Sequence, residues 1–384
     1  MQTTDLLRDL IAFPTVSADP NLELIRYCEA VLRDVGAQVE VIKDQSGHKA
    51  NLYATIGPLD RPGVLLSGHT DVVPVVGQNW TVPPFEMTER DGLLFGRGSA
   101  DMKGFVASAM AASLRAAELD LKTPLHLALS YDEEIGCVGV RSLIDMLAAA
   151  PIRPRFCIVG EPTSMQVATG HKGKTAARLV ATGQEGHSAL APNALNAIHM
   201  ACDIISFIRE LQEKLAATGA RDAAYDVPYT TLHVGLIEGG TALNIVPNRS
   251  EFLFEIRNLI EDDPQQFLAQ IKGYAESYVR DLRKDFPEAN ISIEVTNTYP
   301  PLDTDPNSDV VQLVQGLSGH DATLKVAFGT EGGLFSSRLD VPTVVCGPGS
   351  MAQGHKPDEY VSFAQLAACD AMMDALLQRL MVGL

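Results

Sequence analysis

The chain is short of cations. It sets 30 Lys and Arg against 48 Asp and Glu, a formal charge of -18. Nucleic acid and anionic membrane surfaces both call for clustered basic residues, so neither is expected as a partner. Long apolar runs are also missing: no stretch approaches the roughly 18 residues of a membrane helix. The opening MQTTDLLRDLIAFPTVS breaks its apolar periodicity with Asp5, Arg8 and Asp9. It reads as an amphipathic helix and not as a secretion signal, so a cytoplasmic protein is expected. The six cysteines, at 28, 137, 157, 202, 346 and 369, form no CxxC pair. A disulfide framework is not expected in such a chain, and any metal would rest on His, Asp and Glu. There is no internal repeat and no low-complexity tract. A GxSxG nucleophile elbow is absent too, which weighs against reading His69 and Asp71 as part of a Ser-His-Asp triad.

What is present suffices for two domains. The chain has 384 residues, 46% of them hydrophobic, more than one ordinary core accommodates. The first 170 residues alternate helical spacing, as in NLELIRYCEAVLRDV and the Ala-rich GFVASAMAASLRAAELD, with short buried-strand runs: AQVEVI, ANLYATIG, GVLLSGHTD, PLHLALSYDEE and FCIVGEP. That alternation predicts an α/β domain with helices flanking a mixed sheet. From KTAARLVATG to ISIEVTNTY the order becomes β-α-β-β-α-β, a ferredoxin-like α+β unit inserted over residues 175–297. The tail returns to α/β, so the first domain is expected to comprise 1–174 and 298–384.

Ligands of α/β sheets gather beyond the carboxyl ends of strands. His69, Asp71, Glu133, Glu134 and Glu161 all follow apolar strands there. His69 and Asp71, at i and i+2, share one strand face. Asp101 lies in the glycine-rich GRGSADMKG, and His355 follows a turn in GPGSMAQGHKPDE. Singly, each has an ordinary reading: a turn or cap aspartate, a solvated glutamate pair, a loop histidine. Together, two histidines and three carboxylates supply the nitrogen and oxygen ligands of two zinc-like ions with one carboxylate shared, and another carboxylate remains as general base.

With SGHTDVVP, GRGSADMKG, YDEEIG, GEPT, GQEGHSALAP, ALNIVPN and GPGSMAQGHKPDEYV in view, the chain resembles the M20 metallopeptidase and deacylase family over nearly its whole length. The closing segment looks most like the acetylornithine deacetylase branch. The resemblance implies a zinc-exopeptidase-like catalytic domain, with the inserted unit serving as lid and homodimer interface. It implies two Zn2+ per subunit, with Co2+ as a substitute. His69 and Glu161 would hold one ion, Glu134 and His355 the other, and Asp101 would bridge them. Asp71 would orient His69, Glu133 would be the general base, and the peptide bond Asp101–Met102 would be cis. His187 would reach across the dimer to stabilise an oxyanion. Asn244, Arg257, Thr330 and Glu331 would bind a small N-acyl amino acid, with Glu331 pairing a cationic side chain. The activity implied is removal of the acetyl group from N2-acetyl-L-ornithine. Desuccinylase, aminoacylase and dipeptidase activities are the alternatives within the family, and a catalytically silent binding protein is the alternative outside it.

Overall fold

The computed structural model describes residues 1–384. The chain divides into two compact units: one of residues 1–171 and 302–384, the other of residues 172–301. The limits of the second stand a few residues outside the expected 175–297.

The larger unit is built on a nine-stranded mixed sheet. Its centre is parallel: Leu125–Ser130, Val64–His69, Phe156–Val159 and Thr343–Val345 lie side by side in that order. Every residue in these four strands is buried, which explains their continuous apolar runs. The antiparallel strands Ala50–Ile56 and Gln38–Lys43 extend one side. Val167–His171 extends the other, joined by Leu302–Asp303 and Thr323–Val326.

Helices Thr3–Ile11, Lys103–Ala116, Asp309–Ser318 and Phe363–Val382 pack into one hydrophobic core with the sheet. Lys103–Ala116 is the central one, with nearly all of its side chains buried. Its alanines and Gly104 let it lie close to its neighbours on several sides. Two helices not apparent in the sequence, Val140–Ala149 and Gly332–Leu339, follow the strands and loops that carry acidic residues. No helix is long and apolar enough to cross a membrane.

The smaller unit has a four-stranded antiparallel sheet in the order Thr231–Gly239, Arg249–Arg257, Lys174–Thr182, Asn290–Tyr299. Numbered along the chain these are strands 2-3-1-4, the ferredoxin-like order. Lys174–Thr182 alternates half-buried and buried residues, as a sheet with one covered face requires. Helices Ala197–Thr218 and Pro264–Leu282 cover that face through Ile204, Ile208, Leu268 and Ile271.

Candidate metal centre

The centre forms where the parallel strands end. Val64–His69 carries His69 to the sheet edge. The turn after Leu125–Ser130 carries Glu133 and Glu134, and Glu161 follows Phe156–Val159 by two residues. Two glycines permit this crowding. A Cβ at Gly160 would fall 1.9 Å from the Phe105 ring, and one at Gly68 would fall 2.9 Å from Val106. Glycine at both places lets Lys103–Ala116 press against the strand ends and present Asp101, just before it, to the ligands on the sheet. The Asp101–Met102 bond is cis, as the resemblance implied.

Asp101 is the hub. Its Oδ1 lies 3.1 Å from His69 Nε2 and its Oδ2 lies 3.2 Å from His355 Nε2. Each carboxylate oxygen thus faces a different histidine. Glu161 Oε1 approaches His69 Nε2 at 3.8 Å, and Glu134 Oε2 lies 3.0 Å from His355 Nε2. Two donor groups follow, His69–Glu133–Glu161 and His69–Asp101–Glu134, each with its ligand atoms within 4.8 Å of one another. Glu134 Oε1 is buried and has no hydrogen-bond partner. A lone buried carboxylate oxygen amid nitrogen and oxygen donors is what a divalent cation satisfies, so the donor set fits divalent metal.

The electrostatics agree. Burial raises Glu133 to about 8, assisted by the Glu134 and Glu331 charges and opposed by His69. Burial and the Asp101 charge raise Glu134 to about 7, and the same two causes push Glu161 well above the usual carboxylate range. Hydrogen bonds to Asp101 and Glu134 lift His355 to about 10. Burial works against protonation of His69, but Asp101 and Asp71 outweigh it and raise the ring well above its ordinary value. Burial also opposes ionisation of Asp101, but His355 and His69 hold it well below the usual range.

Asp71 acts by a somewhat different route from the one expected. His69 Nδ1 lies 3.0 Å from the Asp71 backbone carbonyl and 3.5 Å from its carboxylate. The carboxylate is engaged mainly by the Ser17 hydroxyl at 2.6 Å and by the backbone N–H groups of Glu133 and Glu134 at 3.0 and 3.3 Å. Asp71 therefore ties the histidine to the turn that carries both glutamates. Cys137 donates its thiol to Glu133 Oε1 at 3.1 Å.

Thr330 and Glu331 are buried in this structure. Glu331 is 1% exposed, and its two oxygens accept from the Ser130 hydroxyl at 2.5 Å and the Ser67 hydroxyl at 3.2 Å. Thr330 is fully buried and accepts from the Gly332 N–H. The expected substrate contact has no support in this arrangement, since the loop turns into helix Gly332–Leu339 and draws both side chains inward.

His187, Asn244 and Arg257 belong to the smaller unit. His187 pairs with Ile245 in a two-residue ladder, and the Ser188 N–H donates to the Asn244 carbonyl at 3.0 Å, so His187 and Asn244 adjoin. His187 is exposed, and its Nδ1 accepts from the Ala189 N–H at 3.1 Å. In the neutral ring the proton then sits on Nε2, leaving that atom a donor. Arg257 is half-buried, with Nε on Glu255 at 3.0 Å and Nη1 on the Tyr299 hydroxyl at 2.9 Å.

Residues 65–379 match the model of peptidase family M20/M25/M40. The chain belongs to this family. Among its M20 relatives, an acetylornithine deacetylase from Myxococcus xanthus is 35% identical over 375 residues, 96% of this chain and 94% of that one. An M20 family metallo-carboxypeptidase from Sulfolobus solfataricus shares the fold with a TM-score of 0.81 at 21% identity, each chain covered entirely. A Bacillus subtilis protein described as a dinuclear metal binding peptidase from the M20 family superposes with a TM-score of 0.65 at 15% identity, over 98% of this chain and 97% of that one. This protein is accordingly an M20-family hydrolase.

Proposed function

We propose that this hydrolase carries two zinc ions and removes the acetyl group from N2-acetyl-L-ornithine, giving ornithine and acetate as a cytoplasmic step of arginine biosynthesis. The observation that carries the metal assignment is Asp101, whose two oxygens face two different histidines. His69 and Glu161 would hold one ion and Glu134 and His355 the other, with Asp101 shared. The 35% identity to an acetylornithine deacetylase supports the substrate.

When bound, the ions polarise the acyl carbonyl and lower the pKa of water to about 7. The rest falls to the chain. Glu133 takes a proton from the attacking water, whose oxygen bonds to the acyl carbon. The C–N bond then breaks, and Glu133 passes the proton to the departing amine. The Cys137 thiol occupies one oxygen of Glu133 and leaves the other for water. We assign the smaller unit to a homodimer interface, with His187 donating from Nε2 to the developing oxyanion of the partner subunit's site. Asn244 and Arg257 are proposed to receive the substrate carboxylate.

The test is acetate release from N2-acetyl-L-ornithine, measured before chelation, after chelation and after zinc or cobalt restoration. Release that is lost on chelation and restored by metal supports the reading. A zinc-loaded protein that releases no acetate refutes the substrate and moves it to another M20 amide, starting with N-succinyl-diaminopimelate, then N-acyl amino acids and dipeptides.

A further inference from the structure

We propose that Glu359 is a positioning residue of the metal centre, holding the Asp101 loop directly and the His355 loop through Arg97 and Gln78. The inference rests on the two-ion reading above. Glu359 is 1% exposed and stands outside the candidate ligand groups. Its Oε1 accepts two consecutive backbone N–H groups, those of Ala100 and Asp101, each at 3.0 Å. Its own carbonyl accepts the Gly96 N–H at 2.9 Å. One residue thus grips both ends of the loop that presents the shared carboxylate.

The second oxygen, Oε2, is held at 2.5 Å by Arg97, which is also 1% exposed. The same guanidinium reaches the Gln78 side-chain oxygen Oε1 at 2.5 Å and the Lys356 backbone carbonyl at 3.3 Å. It also lies 5.0 Å over the Trp80 ring. Gln78 in turn donates from Nε2 to the His355 carbonyl at 3.0 Å. The path from Asp101 to His355 therefore begins and ends on main-chain atoms and passes through charge-assisted side-chain hydrogen bonds on a planar fork at its centre. His355 needs such support: its side chain is about half exposed, and its backbone sits at φ +61°. Groups that orient ligands in this way alter metal affinity roughly 10- to 100-fold when removed.

A buried ion pair that serves only the fold makes a different prediction, and zinc binding separates the two. The full chain is stripped with a chelator and titrated with zinc against a chromophoric competitor, while the melting temperature of the stripped form is followed by circular dichroism. Glu359→Gln keeps an acceptor for the two amides but turns an NH2 group toward Arg97. Both ions are expected to bind roughly 10- to 100-fold more weakly, because the residue they share has lost its restraint. Gln78→Ala, at a partly exposed position, is expected to weaken one ion, the one on His355, and to leave the other at wild-type affinity. If Glu359→Gln does not fold, Gln78→Ala decides. Wild-type affinities in the variants that fold, whatever their melting temperatures, overturn the proposal. The two-ion reading fails separately, if the wild-type chain binds fewer than two ions or if Asp101→Asn binds both as tightly as wild type.

Discussion

Zinc binding should expel protons, and their number follows from the geometry of the centre. Around Asp101 stand two histidines with proton affinities raised well above the ordinary, His355 to about 10 and His69 in the same direction. Glu161 is pushed well above the carboxylate range and Glu134 to about 7. At pH 7 the metal-free centre therefore holds a proton on His355 and, for about half of the time, one on Glu134, while His69 and Glu161 are both biased toward their protonated forms. Ligands must be deprotonated to bind zinc, so loading both ions at pH 7 should release more than one proton. The apparent affinity then falls by that many powers of ten for each pH unit of acidification near neutrality, and the dependence flattens above the His355 value. Calorimetric titration in buffers of different ionisation enthalpy reads the number directly. Release of fewer than one proton at pH 7 would refute the reasoning, because both histidines would then be neutral before the metal arrives and Asp101 would not be holding them protonated.

Three further outcomes are expected. Glu133→Ala should lower kcat roughly 10²- to 10⁴-fold with both ions retained, and unchanged turnover would remove Glu133 from the chemistry. Gly160→Ala should cost about 1–3 kcal/mol or more, since its Cβ would lie 1.9 Å from the Phe105 ring; chemical denaturation that finds under ~0.5 kcal/mol would show that the ring has room to retreat. His126 is buried beside Thr55, and burial lowers it to about 4. Its folded-state pKa lies below its unfolded value, so its contribution is present above about 6.5 and is lost as pH falls toward 4, some ~3 kcal/mol in all. His126→Gln should flatten that part of the stability profile, and an unchanged slope in urea titrations would assign the acid sensitivity to other groups.

The chain announces its centre because strand-end chemistry is local. Apolar runs of strand length followed at once by His69, by Glu133 and Glu134, or by Glu161 can be read without knowing which strands pair. The β-α-β-β-α-β order of the smaller unit is legible for the same reason, since alternation along Lys174–Thr182 and the helical spacing after Asn196 are properties of single segments. Features that depend on pairings across the fold are hidden. Ser67 meets Glu331 across 264 residues, and Arg97 meets Glu359 across 262. Neither partner carries a spacing that points to the other. Glu359 does offer a clue, since it lies four residues after His355 in the same motif, but an acid beyond a loop ligand reads as solvated until its two amide donors are seen. The short hairpin Thr88–Arg90 with Leu93–Phe95 and the helix Gly332–Leu339 are likewise hidden, being too brief to establish a period.

The position of Glu331 has a bearing on how relatives are sorted. An acidic residue in a strand-end loop beside a hydrolytic centre invites use as a label of substrate preference, and two sequences that differ there would be given different substrates. In this chain the carboxylate is clasped by Ser67 and Ser130, hydroxyls on the adjacent strands that lead to His69 and to the Glu133–Glu134 turn. A change at 331 that removes its acceptor oxygens leaves the buried hydroxyls of Ser67 and Ser130 without this partner. Sorting by this residue would group proteins by how their sheet is laced together.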